Sequence, residues 1–249
     1  MKILVFQSRI GVGSLNWDKH KDSVLTLNNI IIEKCIKSVK NWADKNNYEY
    51  ILEKNNLNWK YTFNSKNDVV LNNALQNWDH LPKKGYDYII YMDNDVFIRN
   101  AKIKIPLDDF MMCERMGDPF YFLRYYYGPK AKWWNAGVII MSQKRCKHLC
   151  EWMLKTIPNA RDIELFKDLP REESLIATYC KDYQPKKLSK KYNTIPTQTP
   201  TPLYKNSKII HFTGSNKFEI VMKCPLEIQI ELFKDNIVEY DLNKLKFSV

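Results

Sequence analysis

Apolar positions in this chain alternate between short runs and amphipathic stretches, the pattern of an α/β protein. Residues 2–9 are largely apolar and read as a buried first strand, with Gly11 and Gly13 as the turn behind it. From about Asp22 to Asn46, Leu25, Ile32, Cys35, Ile36, Val39, Trp42 and Ala43 recur at helical spacing with lysines opposite, which predicts a long amphipathic helix. Tyr48–Leu52 reads as a second strand. A strand–helix–strand opening favours a parallel sheet with right-handed crossovers.

Glu53–Lys66 is rich in Asn and Lys and reads as a loop, and Asp68–Trp78 as a short helix with Leu71, Leu75 and Trp78 turned inward. Tyr88–Met92 is apolar throughout, as a strand covered on both faces must be, and runs straight into Asp93-Asn94-Asp95. Further strands are predicted at Pro119–Arg124, Val138–Met141 and Lys208–Phe212, and helices at Ser142–Thr156, Glu172–Lys181 and Pro225–Phe233. Gln184–Pro202 reads as an irregular connection. With no internal repeat and no break in composition, the chain is expected to form a single domain.

The chain has 249 residues, of which 45% are hydrophobic and 13% aromatic, enough for a continuous core and too many for a disordered chain. Six cysteines are sparse for a disulfide framework, and none has structural-zinc spacing. Cys146 and Cys150, one helical turn apart, read as buried thiols. No run approaches the roughly 20 apolar residues that a membrane span needs, and Met1–Phe6 is too short for a signal sequence. The expectation is a cytoplasmic protein without a membrane anchor. Its 39 Lys and Arg against 28 Asp and Glu leave a net charge of +11, which would attract nucleic acid, anionic membrane or small phosphorylated ligands.

The candidate chemistry begins at Asp93 and Asp95. Open α/β sheets place ligands at the carboxyl ends of their strands. Two carboxylates this close in a partly dry cleft repel unless a cation sits between them, and their oxygens suit Mg²⁺, Mn²⁺ or Ca²⁺. A solvated Asp-Asn-Asp turn explains the motif equally well on its own. Three later segments add weight. Trp133-Trp134-Asn135-Ala136-Gly137 leads into a strand, with an Asn and a Gly that allow close backbone approach and indole faces that suit a sugar ring. Glu172 and Glu173 open an amphipathic helix, and His211 to Lys217 ends a strand with an imidazole, Gly214 and a cation.

In this order the four segments resemble retaining glycosyltransferases of the GT-A fold, nearest the glycogenin and galactinol-synthase group and the xyloglucan xylosyltransferase and fungal α-1,6-mannosyltransferase group. The likeness runs from the first strand to about residue 220. It implies a single α/β domain whose central sheet is mixed and mostly parallel, flanked by helices. Residues 1–97 would form the nucleotide-sugar half, 98–224 the acceptor and catalytic half, and 225–249 a closing helix and tail. It further implies Mn²⁺, with Mg²⁺ as the alternative, held by Asp93, Asp95 and His211; an imidazole ligand argues for Mn²⁺. Lys217 would neutralise the β-phosphate of a UDP-sugar. Phe6, Gln7, Ser8, Arg9, Lys66, Asn94, Ala136, Gly137 and Gly214 would complete the donor site. Asn135 and Glu172 would orient the sugar, and Glu173, where the family usually carries Gln, would face the reacting carbon. Trp133 and Trp134 would meet a glycan, protein or small-molecule acceptor.

Two rivals are set against this. A nucleic-acid-binding protein would use the charge and the run Lys186–Lys191, although the positives are scattered along the chain. An Asp-x-Asp phosphohydrolase would carry the motif on its first strand, whereas here it follows about the third.

Overall fold

Alternate residues of the first strand go to opposite cores. In the computed structural model, which describes residues 1–8, 22–53, 78–79, 81, 84–115, 120–169, 172–198, 201–214 and 216–233, β1 (Ile3–Ser8) is buried at every position. Ile3 and Val5 pack with Val39, Trp42 and Ala43 of α1 (Asp22–Lys45) on one face. Leu4 and Phe6 turn to the other face and a cluster that includes Leu149, Met153, Leu175 and Tyr179. A strand sandwiched between two helical layers must be apolar on both sides, which is why β1 and β3 (Tyr88–Met92) read as continuous apolar runs.

The main sheet has the order β2-β1-β3-β6-β5-β7, with β2 at Glu49–Glu53, β5 at Phe110–Glu114, β6 at Trp134–Ser142 and β7 at Lys186–Leu188. β1 pairs parallel with β2 and β3, and β5 parallel with β7, while β6 runs antiparallel to both of its neighbours. The expected mixed, mostly parallel sheet is therefore present, with β6 the reversed strand. Because of that reversal, the beginning of β6 lies at the same edge as the carboxyl ends of β1, β3 and β5. A register shift between Met112 and Cys113 further bends β5 at this edge.

A second, two-stranded sheet joins β4 (Val96–Ile98) to β8 (Ile209–His211), with Val96 opposite His211. Its core holds Ile31, Phe97, Ile210, Phe212, Val221, Ile228 and Leu232. The strand expected at Lys208–Phe212 thus exists but lies outside the main sheet.

Further helices among the described residues include α2 (Phe120–Tyr127), α3 (Gln143–Thr156), α4 (Glu164–Asp168), α5 (Glu172–Asp182), α6 (Lys217–Met222) and α7 (Leu226–Phe233). The predicted strand at Pro119–Arg124 is wrong: Phe120–Tyr127 is helical. Its aromatic run has high β propensity, but Leu123, Tyr126 and Tyr127, spaced three and four apart, all reach one cluster with Leu165 and Ala177. Gly128, at φ +86°, then ends the helix. The sequence reading contains no counterpart of β4, β5, α4 or α6, and β7 interrupts the stretch expected to be irregular. The sequence expectations for Gly11, Gly13, the loop 54–66 and nearly all of the helix 68–78 fall outside the described residues.

Candidate functional site

Asp93 and Asp95 stand where β3 stops. The Val96 N–H donates back to the Asp93 carbonyl at 3.3 Å, closing a tight turn, and the Gln7 side-chain amide donates to the same carbonyl at 2.9 Å. Gln7 in turn accepts from the Tyr50 hydroxyl at 2.8 Å. The turn is therefore anchored to β1 and β2. The Tyr91 hydroxyl donates to Asp93 Oδ1 at 3.1 Å. β8 then brings His211 opposite Val96, and the Phe212 N–H donates to the Asp95 carbonyl at 3.1 Å.

His211 Nε2 lies 3.1 Å from Asp95 Oδ1 and 3.4 Å from Asp93 Oδ2. Among the described residues these three side chains form a cluster able to hold a metal ion, with the ligand atoms all within 4.8 Å of one another. The two His211 separations are short enough for a divalent cation to bridge the imidazole and the carboxylates. Asp95 Oδ1 is buried, with His211 Nε2 as an ion-pair partner 3.1 Å away. A divalent cation would take the place of the imidazole proton as the counter-charge between the two carboxylates. The donor set fits a divalent metal.

Lys217, at the start of α6, places its ammonium directly against Asp95 Oδ2. Burial alone would raise the Asp95 pKa, but Lys217 and His211 outweigh it and hold the carboxyl well below the usual range. Burial alone would lower His211; Asp95 and Asp93 instead push it up to about 9. In the metal-free protein the imidazole is thus a cation between two carboxylates.

A glycine makes this arrangement possible. A Cβ on Gly137 would fall 2.1 Å from His211 Nδ1, far inside van der Waals contact with the ring. The Gly137 N–H also donates to Asn135 Oδ1 at 2.9 Å. Across the mouth, Asn135 Nδ2 donates to Glu173 Oε1 at 3.3 Å, and Arg115 Nη1 donates to both Glu173 oxygens at 2.9 and 2.7 Å. Glu172 is bonded by the Trp78 indole N–H at 2.7 Å. Burial, with the Asp93 and Glu173 charges, pushes Glu172 up to about 7 against that hydrogen bond.

One edge of the sheet therefore gathers Asp93, Asp95, His211, Lys217, Gly137, Asn135 and Glu173, with Glu172 close by. Asn94 sits half-buried in the turn, and Ala136 is buried beside Asn135. Ser8, at the end of β1, reaches the Tyr91 hydroxyl. Phe6 is wholly buried 6.3 Å from the Tyr91 ring centroid. Gly214, at φ +124°, forms the turn before Lys217. Trp133 and Trp134 are almost wholly buried, their ring faces packed in two different cores, and neither indole N–H has a hydrogen-bond partner among the described residues. Arg9 and Lys66 lie outside the described residues. Sequence reasoning missed Arg115, Trp78 as the Glu172 partner, and Asn193, which donates to Asn135 Oδ1 at 2.6 Å.

Neither a protein-family profile nor a curated protein sequence matches the chain. Solved structures do. A glycosyltransferase involved in the glycosylation of the major capsid of PBCV-1 superposes with a TM-score of 0.57 at 13% identity, covering 92% of this chain and all of that one. The chain has a GT-A-like fold. Two looser likenesses have TM-scores of 0.48 and carry no further weight. The glycosyltransferase GlyE of Streptococcus pneumoniae TIGR4 is 12% identical over 96% of this chain and 66% of its own. The galactosyltransferase LgtC, in complex with donor and acceptor sugar analogs, is 11% identical over 93% and 100%.

Proposed function

We propose that this chain is a metal-dependent glycosyltransferase that moves a sugar from a UDP-sugar to a glycan, protein or small-molecule acceptor with retention of anomeric configuration. The observation that carries the reading is the Asp93–Asp95–His211 cluster at the ligand-binding edge of a GT-A-like sheet. The order of motifs resembling the glycogenin and xylosyltransferase groups supports it. Residues up to 97 form its donor half, with Ser8 toward the nucleotide, and the later residues the acceptor half.

Asp93, Asp95 and His211 hold the ion, Mn²⁺ in this reading because of the imidazole. When bound, it supplies Lewis-acid neutralisation of the diphosphate leaving group. Lys217 swings from Asp95 to the β-phosphate, so that its charge follows the negative charge that develops as the anomeric bond breaks. Asn135 and Glu172 orient the sugar. Glu173 faces the reacting carbon, and one Arg115 nitrogen donates to both of its oxygens. That shared contact suits a fixed negative charge beside an oxocarbenium-like centre better than a free nucleophile.

Two further observations support the reading. Lys186 and Lys187, central to the nucleic-acid alternative, are paired with Asp108 and Glu114. All six cysteines are buried thiols outside any disulfide, which suits a reducing compartment such as the cytoplasm. No helix among the described residues is long and apolar enough to cross a membrane.

A thermal-shift panel of UDP-, GDP- and CDP-sugars with and without Mn²⁺ tests the proposal. A true donor at 100 times its dissociation constant adds about 2.7 kcal/mol of stability. The shift is expected only with UDP-sugars plus Mn²⁺, and not in Asp95→Asn. A shift that is independent of Mn²⁺, or undiminished in Asp95→Asn, contradicts it.

A further inference from the structure

One backbone donor fixes the orientation of a whole buried network around His211. The Gly137 N–H can only donate, so the Asn135 atom 2.9 Å from it must be the carbonyl oxygen Oδ1. The Asn193 side chain approaches that same oxygen at 2.6 Å and must offer its amide nitrogen. The other end of the Asn193 amide is then an oxygen, and it lies 3.2 Å from His211 Nδ1. Asn135 Oδ1 lies 3.1 Å from the same nitrogen. Two acceptors thus face Nδ1, and this nitrogen must carry a hydrogen whatever the charge of the ring. In the neutral imidazole the lone pair is therefore on Nε2, the atom that faces Asp93 and Asp95.

Asn193 is suited to hold this arrangement. It is 4% exposed, and the chain on its carboxyl side is tied to β8: the Thr194 N–H donates to the Ile209 carbonyl at 2.9 Å, and the His211 N–H to the Thr194 carbonyl at 2.9 Å. Thr194 Oγ1 also pairs with Ser207 Oγ at 2.8 Å. The amide is thus pinned next to the ring it contacts.

We propose that Asn193 is a positioning residue for the metal: it accepts from His211 Nδ1–H, presents bare Nε2 to the ion, and locks the Asn135 amide so that its nitrogen points to Glu173. The inference rests on the metal-site reading above. Outer partners of a ligating histidine typically change metal affinity by 10- to 100-fold.

The test is a Mn²⁺ titration of the purified chain without nucleotide, with free Mn²⁺ read by electron paramagnetic resonance, for wild type, Asn193→Leu and Asn193→Asp. Circular dichroism checks the fold of each. Asn193→Leu removes the acceptor and should weaken Mn²⁺ binding 10- to 100-fold. Asn193→Asp keeps an acceptor for Nδ1–H but loses the donor to Asn135, and should remain within about threefold of wild type. A role in packing alone gives the opposite order, because a carboxylate against Asn135 Oδ1 disrupts the network more than a leucine does. Wild-type affinity in Asn193→Leu, or weaker binding in Asn193→Asp than in Asn193→Leu, overturns the proposal. If Asn193→Leu does not fold, a loss of more than tenfold in folded Asn193→Asp overturns it alone. Absence of saturable Mn²⁺ binding in wild type removes the metal-site reading itself, and the proposal with it.

Discussion

A Cβ on Gly137 would stand 2.1 Å from His211 Nδ1 and 2.2 Å from Cε1, closer than any side chain is tolerated. Gly137→Ala is therefore expected to push the imidazole away from Asp95. Overpacking of this kind costs about 1–3 kcal/mol, and Mn²⁺ affinity should fall by at least tenfold, as metal titration beside urea unfolding would show. Glu172 offers a test with a defined pH window. Its pKa is raised in the folded chain from 4.5 to about 7, so folding binds extra protons and this group lowers stability as pH climbs from 4.5 to 7. Glu172→Gln keeps an acceptor for the Trp78 indole without the charge. It should match wild type near pH 4 and become the more stable protein above pH 7, by on the order of 2–3 kcal/mol. Urea midpoints at the two pH values check this; equal midpoints at pH 8 would contradict it. At this scale Asp93, Asp95, His211 and Glu173 were legible because each stands at the end of a periodic segment. Asn193 was not, since its partners lie 58 and 18 residues away and its own surroundings have no pattern.

Two elements do most of the positioning. The β4–β8 ribbon sets Asp95 beside His211 through a single register, and reversed β6 carries Asn135 and Gly137 to the same edge. These strands were hard to read from sequence. β4 has only three residues, and β5 carries Met112 and Cys113, neither of which signals a strand. Arg115 follows β5 directly, so missing the strand also hid the partner of Glu173. α2 failed for the opposite reason: its aromatic residues favour strands in isolation, but tertiary packing selected the helix. The helix expected at Ser142–Thr156 is present from Gln143, with Ser142 as its cap, accepting from the Arg145 N–H at 3.1 Å. Ser142→Ala should cost about 1 kcal/mol and leave Mn²⁺ affinity unchanged, as the cap lies at the other end of β6 from the site. A change in both would mean that the strand transmits strain to Asn135.

For the molecule as a whole, the long buried strands and α1 made an α/β sheet legible, because burial on both faces leaves a continuous apolar signature. The two-sheet arrangement was not, since pairing partners far apart in sequence leave no local mark. Proton linkage also belongs at this scale. Metal binding requires a neutral imidazole, and the metal-free His211 titrates at about 9. Mn²⁺ affinity should therefore rise about tenfold for each pH unit between 6 and 8. In the metal-free chain the same raised pKa stabilises the fold fully below about 6.5, and that contribution is lost as pH rises toward 9. The central claim is that one ion joins these side chains to a diphosphate. Pulsed electron paramagnetic resonance of Mn²⁺ bound in the presence of UDP tests it directly. The account predicts a nitrogen coupling from His211 and a phosphorus coupling from UDP on the same ion, the nitrogen coupling disappearing in His211→Ala. Phosphorus coupling without nitrogen, or a nitrogen coupling that survives His211→Ala, would contradict it.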